Sequence, residues 1–577
     1  MANSAVRNSE IARILKETAA FLEAEGVPFK PRAFEKAASA IEGMDLEVVD
    51  LYRKGGLAAL EKIPGVGKGI AERIEEFLRT GRIKDYERLK KKYPVDLQEL
   101  TSIEGLGPKG AIKLYKKLKV KNTAELERAA RAGKVRVLPG FGKKSEEKIL
   151  KGIDFLKKSG GRALLGNVLP SVRVIEERLK KLEGVDSVVV CGSIRRMQET
   201  VGDIDILVTS KSPRAVMDYF AAMPEVIHVY GKGDTKTMVR LDIGLDADLR
   251  VVPPESYGAA VQYFSGDKNH NISLREIAMK KGLKLNEYGL YKKGRLIAGE
   301  REEDIYRALG LNWIPPELRT DSGEIAAARV GKLPKLVGYG DLRGDLQVQT
   351  DWTDGKDSIE AMARAAAGRG LEYIAVTDHT KRLAMAHGLD EKRIIKQWAE
   401  IDRVNRKFGG RIRILKGSEC DILKDGSLDL PDKILSQLDV CGASIHSHFN
   451  LGRKEQTERL KRAMANPHVD IVFHPTGRII QKRAACELDI DEVIDFAEET
   501  GTVLEVNASP DRLDLKDEYV RKCTEKGVMM SIDSDAHAAA HFSFLEYGIA
   551  QARRGWAERS DIINAWPLEK MLKHLKN

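Results

Sequence analysis

The stretch that most constrains this chain is residues 188–210, VVVCGSIRRMQETVGDIDILVTS, in which two apolar runs flank a glycine turn. A β-branched run leads into Gly192 and Ser193, and the second run carries two aspartates, Asp203 and Asp205. Side chains at i and i+2 of a strand point to the same face, so both carboxylates share a face while the neighbouring isoleucines turn to the core. The spacing therefore predicts a half-buried strand with a pair of acids on its open face.

A third acid, Asp248, lies on another alternating segment, DADLRVVP, and completes an acidic cluster if the two strands pair. Three carboxylates suit Mg²⁺ or Mn²⁺, and two such ions about 4 Å apart activate an attacking hydroxyl and stabilise departing pyrophosphate. Gly192 and Ser193 offer backbone and hydroxyl donors to a triphosphate, and Arg196 adds a planar cation. A D-x-D pair alone also suits an edge strand with solvated acids, but the turn and the third acid favour nucleotidyl transfer.

The length and charge of the chain bound the remaining possibilities. At 577 residues it is too long for one hydrophobic core, which predicts three to five domains. The formal net charge is +10, and the Lys and Arg surplus lies in the first 160 residues. Such a surface suits a polyanion such as DNA, although solvated lysine-rich helix faces would have the same composition. Scattered cysteines, no apolar run of membrane-spanning length and no export signal predict a cytoplasmic protein without a membrane partner.

Three similar segments repeat in the basic region: IPGVGK at 63–68, IEGLGPK at 103–109 and LPGFGK at 138–143. In each, a G-x-G turn precedes a helical pattern, so bare backbone and a helix N-terminus can meet phosphate oxygens without reading base sequence. One such turn often only connects two helices, but the three together resemble helix-hairpin-helix motifs. The residues expected to bind DNA are Gly65, Gly67, Lys68, Gly105, Gly107, Lys109, Gly140 and Gly142.

The acids and the turn resemble the palm of bacterial family X DNA polymerases, a group that fills short gaps in repair. Downstream, YFSG at 263–266 is similar to the family's YF-x-G motif. Aromatic rings can gate a sugar, and polar side chains can reach minor-groove acceptors. The resemblance assigns Arg250 to subdomain closure. It assigns nucleotide and template contacts to Gly192, Ser193, Arg196, Gly202, Tyr263, Phe264, Gly266, Asn271 and Arg275.

One departure from the family lies in the helix after the first hairpin, where this chain has Arg73. In animal members with a 5′-deoxyribose-phosphate lyase, a lysine amine at the corresponding position forms a Schiff base. A guanidinium stays protonated and is not a carbonyl nucleophile. We therefore expect the amino-terminal segment to bind 5′-phosphates or gaps without a lyase of the usual type.

All histidines except His228 and His270 lie after residue 344, beside short apolar strands that alternate with helical stretches. Ligands at the ends of many strands are typical of a β/α barrel active site. This half resembles a PHP domain (polymerase and histidinol phosphatase), which implies a distorted barrel that binds Mn²⁺ or Zn²⁺ and acts as a 3′-5′ exonuclease or abasic-site nuclease. The matching ligand positions are Asp354, His379, Glu419, His446, His474, Asp535 and His537.

Two PHP ligand positions do not match. Where the pattern has H-x-H, this chain has Gln347 and Gln349 within DLQVQTDWTDG. An amide is a poor substitute for imidazole on these metals, so at least one ion position is weakened and nuclease activity is doubtful. The pocket then holds fewer ions or only a hydrogen-bonded network. His387, His448 and His541 lie outside the pattern and suit either the surface or replacement ligands.

The expected architecture is multidomain, with α+β and α/β parts. Residues 1–90 are predicted to form a small helical DNA-end-binding domain, and residues 91–165 a fingers-like domain with the second and third hairpins. A nucleotidyltransferase palm with a mixed sheet follows at 166–260, and a thumb at 261–335. The PHP barrel, after a connector, occupies 336–577.

The expected function is that of a DNA-directed DNA polymerase that uses dNTPs to fill gaps in gapped or nicked duplex DNA, acting as a monomer. Two other functions stay open at this point. The barrel could be the main enzyme, a metal-dependent 3′-5′ exonuclease or abasic-site nuclease to which the other half delivers DNA. Alternatively, the chain could be a DNA-end-binding scaffold with little catalysis.

Overall fold

The amino-terminal part is helical because its apolar residues recur with helical spacing between glycine turns. The computed structural model describes residues 8–42, 44, 47–101, 103, 106–158 and 161–575. Gly81, with a φ of 71°, ends the fourth helix. The first nine helices are α1 (Asn8–Ala24), α2 (Lys30–Glu42), α3 (Val48–Leu60), α4 (Lys68–Thr80), α5 (Lys84–Lys92), α6 (Leu97–Thr101), α7 (Pro108–Leu118), α8 (Thr123–Arg131) and α9 (Lys143–Lys158).

One apolar cluster runs through these nine helices. It includes the buried side chains of Ile11 in α1, Ile74 in α4, Ile112 in α7 and Ile149 in α9. The helical domains predicted on either side of residue 90 therefore share a hydrophobic core, and the boundary between them stays a prediction.

A mixed five-stranded sheet follows, in the order β2-β4-β7-β6-β5. Strand β4 runs parallel to β7, whereas the other neighbouring pairs are antiparallel. The isoleucines of β4 pack against α10 and α12, which leaves its aspartates on the opposite face. The elements are β1 (Ala163–Leu164), α10 (Leu165–Lys180), β2 (Val185–Val190), α11 (Gly192–Arg195), β3 (Thr200–Val201), β4 (Asp203–Ser210), α12 (Pro213–Ala221), β5 (Val226–Lys232), β6 (Lys236–Leu241) and β7 (Asp246–Val251).

The next region combines helices with a small antiparallel sheet, β10-β9-β8. Asp267 caps α14 by accepting a hydrogen bond from the His270 amide at 2.7 Å. The buried guanidinium of Arg319 pairs with Glu302 at 2.5 Å and ties the region together. The elements are α13 (Tyr257–Ser265), α14 (Lys268–Lys280), β8 (Lys284–Asn286), β9 (Gly289–Lys292), β10 (Arg295–Ala298), α15 (Glu302–Ala308) and α16 (Glu324–Arg329).

The carboxyl-terminal half is a nearly closed barrel of seven parallel strands, which pair in sequence order. A bridge between Val348 and Ala536 brings the first strand beside the end of the last. The elements are β11 (Gly344–Val348), α17 (Ile359–Gly368), β12 (Tyr373–Val376), α18 (Glu391–Phe408), β13 (Arg413–Asp421), α19 (Asp432–Leu435), β14 (Val440–Ser444), α20 (Arg453–Met464), β15 (Ile471–Val472), α21 (Ile490–Thr500), β16 (Val503–Asn507), α22 (Asp517–Lys526), β17 (Met530–Asp533), α23 (Leu545–Arg554) and α24 (Leu568–Leu575).

Helix α2 of the amino-terminal part contacts the rim of the barrel. Lys36 Nζ lies 2.7 Å from Asp357 Oδ1, and Arg32 Nη2 donates to the Gly355 carbonyl at 2.6 Å. Lys356 Nζ in turn donates to Ser39 Oγ at 3.0 Å. These contacts attach the helical part to the loop that follows β11.

The expected fold class is confirmed: a helical part with glycine turns, a mixed five-stranded sheet, a small antiparallel sheet with helices and a β/α barrel follow one another along the chain. Among the residues that the structure describes, no helix combines the length and the apolarity needed to span a membrane.

The close packing of β14 makes a stability prediction. A Cβ at Gly442 would overlap the ring of Phe473, both inside the barrel wall. Gly442→Ala should therefore lower the free energy of unfolding by about 1–3 kcal/mol, the usual range for overpacking. Urea unfolding of the full chain measures the change. Gly368→Ala, at the end of α17 with open space around it, is the matched control and should not destabilise the chain; equal effects of both variants would contradict the packing argument.

Candidate active sites

The register of two palm strands brings the predicted acids together. In the parallel pair β4 and β7, Asp205 lies opposite Asp248 and Asp203 lies opposite Asp246. Because alternate residues of a strand share a face, Asp203, Asp205 and Asp248 all lie on the same face of the sheet.

The electrostatics of this acidic face are those of crowded carboxylates. Burial and the charges of Asp203 and Asp248 raise the pKa of Asp205 to about 6. Asp248 Oδ2 lies 3.1 Å from Lys236 Nζ and 3.2 Å from Arg250 Nη2. The other oxygen, Oδ1, is buried and has no hydrogen-bond partner in the described part of the chain. Repelling acids with an unpaired oxygen fit a divalent cation that takes hard oxygen ligands.

The turn before β4 packs directly on one of these acids. Gly192 has a φ of 63°, and a Cβ there would lie 2.7 Å from Asp205 Oδ2. Only glycine accepts both the backbone angle and the close approach. The Cys191 amide donates to the Asp205 carbonyl at 2.8 Å, which fixes the turn against β4. Ser193 Oγ is buried and finds no partner among the described residues, so it is available to a phosphate oxygen.

Arg196 and Gly202 lie at the two ends of the loop that joins this turn to β4. Arg196 Nη1 donates to the Ser265 carbonyl at 2.7 Å, and burial lowers the pKa of this guanidinium. A Cβ at Gly202 would lie 3.0 Å from Arg162 Nη1. Arg196 is therefore anchored to the end of α13, whereas Gly202 lets the Arg162 side chain approach the loop.

The YF-x-G segment is held by Asn271. The Asn271 Nδ2 atom donates to the Tyr263 carbonyl at 2.7 Å and to the Gly266 carbonyl at 3.2 Å, and Oδ1 accepts from Gln262 Nε2 at 2.8 Å. The amide predicted to contact DNA thus makes internal hydrogen bonds in this arrangement. Arg275, one turn further along α14, is half-buried.

The predicted closure residue, Arg250, joins the acids to the end of α13. Its guanidinium lies 4.8 Å from the ring centroid of Phe264 while Nη2 contacts Asp248. A stacking contact of this kind favours a cation over the face of an aromatic ring. Movement of Phe264 would therefore displace the guanidinium that contacts the Asp248 carboxylate.

The hairpin residues occupy the turns before three helices. Gly65 and Gly140 have φ values of 81° and 80°, which lie in the left-handed region. Gly67 and Gly107 are the N-caps of α4 and α7, and Gly142 accepts at its carbonyl from the Glu146 amide at 3.0 Å, beside the start of α9. Lys68 and Lys109 are the first and second residues of α4 and α7, respectively. Gly105 lies outside the described residues.

Arg73 is tied to neighbouring helices. Its Nη2 atom lies 2.5 Å from Asp85 Oδ2, and Nη1 donates to the Gly69 carbonyl at 2.6 Å. The guanidinium also lies over the ring of Phe34, 5.8 Å from its centroid. The expected absence of lyase chemistry stays a prediction.

Glu419, at the end of β13, is the centre of the second cluster. Its Oε1 atom lies 3.0 Å from His446 Nε2 and 2.8 Å from His474 Nε2, and its Oε2 atom lies 3.3 Å from His379 Nδ1. Ser444 Oγ donates to Oε1 at 2.6 Å. Two groups could each hold a cation, with ligand atoms within 4.8 Å of one another. They are Asp354, His379 and His537, and His379, Glu419 and His446.

The carboxylates of this cluster favour the protonated forms of two imidazoles, those of His537 and His446. Burial opposes protonation of His537, but Asp354 and Asp535 outweigh it and raise the pKa of His537 to about 9. Burial likewise opposes the charge on His446, yet Glu419 raises the pKa of His446. The imidazoles of His379, His446 and His474 hold the pKa of Glu419 well below its usual range despite its burial. An acidic site that collects positive charge fits a cation at these residues.

The two glutamines occupy the remaining side of the cluster, and both are fully buried. Gln349 Nε2 donates to Glu419 Oε2 at 2.8 Å, and Gln347 Oε1 accepts from Asn507 Nδ2 at 3.0 Å. Asn507 also donates to Asp535 Oδ2 at 3.3 Å. On the side where the PHP pattern has two imidazoles, one neutral amide contacts Glu419 and another contacts Asp535, and this side does not fit a borderline metal ion.

In comparisons with known proteins, five family models match this chain. They are a helix-hairpin-helix domain at 6–83, a SAM-like helix-hairpin-helix tandem at 97–154, the DNA polymerase beta palm at 168–236, the DNA polymerase beta thumb at 260–320 and the PHP domain at 345–509. The chain is also 38% identical over 576 residues to the "DNA polymerase/3′-5′ exonuclease PolX" of Bacillus subtilis (strain 168), which covers 99% of this chain and 100% of that relative. The chain belongs to the family X DNA polymerases.

Shorter stretches of this family X polymerase are similar to smaller proteins as well. A probable phosphatase of Thermoanaerobacter sp. (strain X514) is 28% identical over 229 residues, 38% of this chain and 88% of the relative. A probable phosphatase of Caldanaerobacter subterraneus subsp. tengcongensis is 31% identical over 185 residues, 30% of this chain and 68% of the relative. The expected family is confirmed. Membership implies use of divalent metal ions, and the hairpin domains imply DNA binding.

Several residues of the two sites escaped the sequence patterns. Lys236 contacts Asp248 only because β6 pairs with β7, and no motif marks it. Asn507 and Ser444 join the Glu419 cluster from the ends of β16 and β14. The one available signal was that polar residues at strand ends of a β/α barrel tend to meet at one rim.

The raised pKa of Asp205 predicts how metal binding by this family X polymerase depends on pH. A protonated carboxyl is a poor ligand, so affinity for Mn²⁺ at the palm should fall as the pH drops through about 6. Calorimetric titration of Mn²⁺ between pH 5.5 and 7.5 measures this, with the Asp205→Asn variant expected to lose the palm component. A palm affinity that stays constant across this pH range would contradict the prediction.

Proposed function

We propose that this DNA-directed DNA polymerase fills short gaps in repair, as a monomer that binds gapped or nicked duplex DNA and dNTPs. The observation that carries the proposal is the β4–β7 register, which puts Asp205 opposite Asp248 and leaves one Asp248 oxygen without a partner in the described structure. A cluster of this kind suits two-metal displacement at a phosphorus atom.

In this proposal Asp203, Asp205 and Asp248 hold Mg²⁺, for which hard carboxylate oxygens are the preferred ligands. When bound, these ions lower the pKa of the primer 3′-hydroxyl and stabilise the departing pyrophosphate. Ser193 Oγ donates to a triphosphate oxygen from the turn that Gly192 brings against Asp205. Arg196, held at its Nη1 atom by the Ser265 carbonyl, adds positive charge beside the same phosphates.

The helical hairpins hold the DNA in this proposal. Gly67 and Gly107 present the N-termini of α4 and α7, where free amides and the positive end of the helix dipole favour phosphate. Lys68 and Lys109 add charge at the same ends. Contacts to phosphate alone suit a gap-filling enzyme, because gaps occur in any sequence.

Primer extension on a one-nucleotide gap tests the function. With Mg²⁺ and dNTPs the parent should add the missing nucleotide, and a control without dNTPs should leave the primer intact. Asp205→Asn should lower the rate of nucleotide addition by at least about 100-fold. Loss of a residue that only supports a metal ligand can already cost about 100-fold. Asp246→Asn is the matched control, because the Asp246 carboxylate pairs with Arg240 at 2.9 Å. An Asp205→Asn variant that behaves like the parent would favour a DNA-end scaffold instead.

We further propose that the barrel keeps two ion positions and has lost a third. Asp354, His379 and His537 form one, and His379, Glu419 and His446 form the other. The neutral amides of Gln347, Gln349 and Asn507 occupy the third, where Gln349 donates to Glu419 and Asn507 donates to Gln347. The 3′-5′ exonuclease named for the Bacillus subtilis relative should therefore be weak in this chain.

Restoring the imidazoles tests the loss of the third ion position. The double variant Gln347→His with Gln349→His should bind about one more Mn²⁺ per chain and gain 3′-end degradation, since imidazole is the better ligand. Metal content and digestion of labelled single strands in the absence of dNTPs measure both effects. Adding His379→Ala to the double variant should remove the gain. Strong degradation by the parent, or no gain by the double variant, would refute ligand loss.

A further inference from the structure

The loop at 196–202, which joins the Ser193 turn to β4 and includes the short strand β3, is held from outside the palm. Glu199 in this loop faces Arg478 of the barrel, with Arg478 Nη2 2.5 Å from Glu199 Oε1 and Nη1 3.3 Å from Oε2. Gln551 of α23 donates from Nε2 to Glu199 Oε1 at 3.2 Å. Arg554 Nη2 lies 3.8 Å from the same oxygen, so three barrel side chains converge on one carboxylate of the polymerase half.

This ion pair is shielded from solvent. The side chains of Glu199 and Arg478 are 18% and 13% exposed, so water screens their attraction weakly. Removing one partner would leave a poorly solvated charge, which is costly. The contact therefore differs from the exposed ion pairs on the barrel surface, which contribute little.

The backbone of the loop is held as well. Arg554 of α23 donates from Nη1 to the Met197 carbonyl, and its Nε atom donates to Asp517 Oδ2 at 3.0 Å. On the palm side, the Leu165 amide donates to the Glu199 carbonyl at 3.0 Å. The loop is thus fixed at both its side chain and its main chain.

Apolar contacts also join the palm to the barrel half. Leu513, Tyr547 and Ala550 of the barrel half belong to the same buried cluster as the core of the palm sheet. A Cβ at Gly166 of α10 would overlap Pro510 of the barrel half. A junction packed this closely transmits displacements instead of absorbing them.

The position of Glu199 in the chain gives these contacts a consequence for catalysis. Only Thr200, Val201 and Gly202 separate it from Asp203, and the same loop begins at the turn that carries Ser193. We infer that Arg478 and Gln551 are positioning residues for nucleotidyl transfer, which act through Glu199 to set the distance between the Ser193 turn and the Asp203 carboxylate. The inference rests on the proposed palm site.

The other end of the link lies in the barrel cluster. Arg478 follows His474 closely in sequence, and between them Thr476 donates from its backbone N and Oγ1 atoms to Asp514, at 3.0 and 2.9 Å for the shorter contacts. His474 itself contacts Glu419. One short, anchored segment of the barrel therefore carries both a residue of the His/Glu cluster and the side chain that holds the polymerase loop.

Steady-state gap filling with Glu199→Gln, Arg478→Gln and the double variant tests the inference. Each single variant should lower kcat by about 10–100-fold, as loss of a supporting residue does at metal sites, with a smaller effect on the KM for dNTP. The double variant should be no worse than either single variant, because both remove the same link. Arg173→Gln is the matched control. Arg173 lies on α10, outside the loop, and its half-exposed ion pair with Glu546 is another contact between palm and barrel. Breaking this pair should leave kcat unchanged.

Hydrogen exchange of the same proteins gives a readout that does not need activity. Amides of the loop at 196–202 should exchange faster in Arg478→Gln than in the parent, and at the parental rate in Arg173→Gln. The inference is overturned if loop exchange is unchanged in Arg478→Gln, if Arg173→Gln lowers kcat equally, or if the losses of the two single variants multiply in the double variant. If hydrogen exchange of the loop is as expected but the parent adds no nucleotide, the proposed function is refuted. The contacts of Arg478 and Gln551 with the loop would then still be established.

Discussion

Repulsion among three carboxylates is the constraint on which the polymerase half depends. Parallel pairing of β4 with β7 forces Asp205 beside Asp248, and burial with the neighbouring charges raises the pKa of Asp205. Lys236 and Arg250 offset part of this charge from the side, but neither reaches the buried Asp248 oxygen that is left without a partner in the described structure. The turn at Gly192 can approach the Asp205 carboxylate only because glycine has no side chain. The surrounding geometry therefore suits further cations and a polyanionic nucleotide together.

The barrel stabilises its buried carboxylate, that of Glu419, in another way. Glu419 is fully buried, yet imidazoles and the amide of Gln349 surround both of its oxygens. Donors of this kind stabilise a buried carboxylate without a metal ion on the glutamine side. The barrel thus forms with Gln347 and Gln349 at the two positions where the PHP pattern has histidines. The polymerase half shows no comparable exchange at its three acids.

The two halves are not independent bodies joined by a connector. Leu513 and Tyr547 complete the apolar core of the palm, and Lys36 of the helical part pairs with Asp357 on the barrel rim. The ion pair of Arg478 with Glu199 is the most direct of these contacts, because Glu199 lies in the loop between the Ser193 turn and β4. The barrel therefore contributes directly to the structure of the polymerase half.

Much of this molecule could be predicted from local patterns. The two-residue spacing of Asp203 and Asp205 follows from strand periodicity, and the G-x-G turns follow from the backbone freedom of glycine, so both are visible in sequence. The departures at Gln347 and Gln349 are equally visible against a family pattern. By contrast, Lys236, Asn507 and the Glu199–Arg478 pair depend on contacts between distant segments, which leave no periodic trace. Residue types and spacing therefore determined the fold class and the acids, whereas only tertiary packing decided which charges meet, because a pairing energy depends on distance and burial and not on sequence separation.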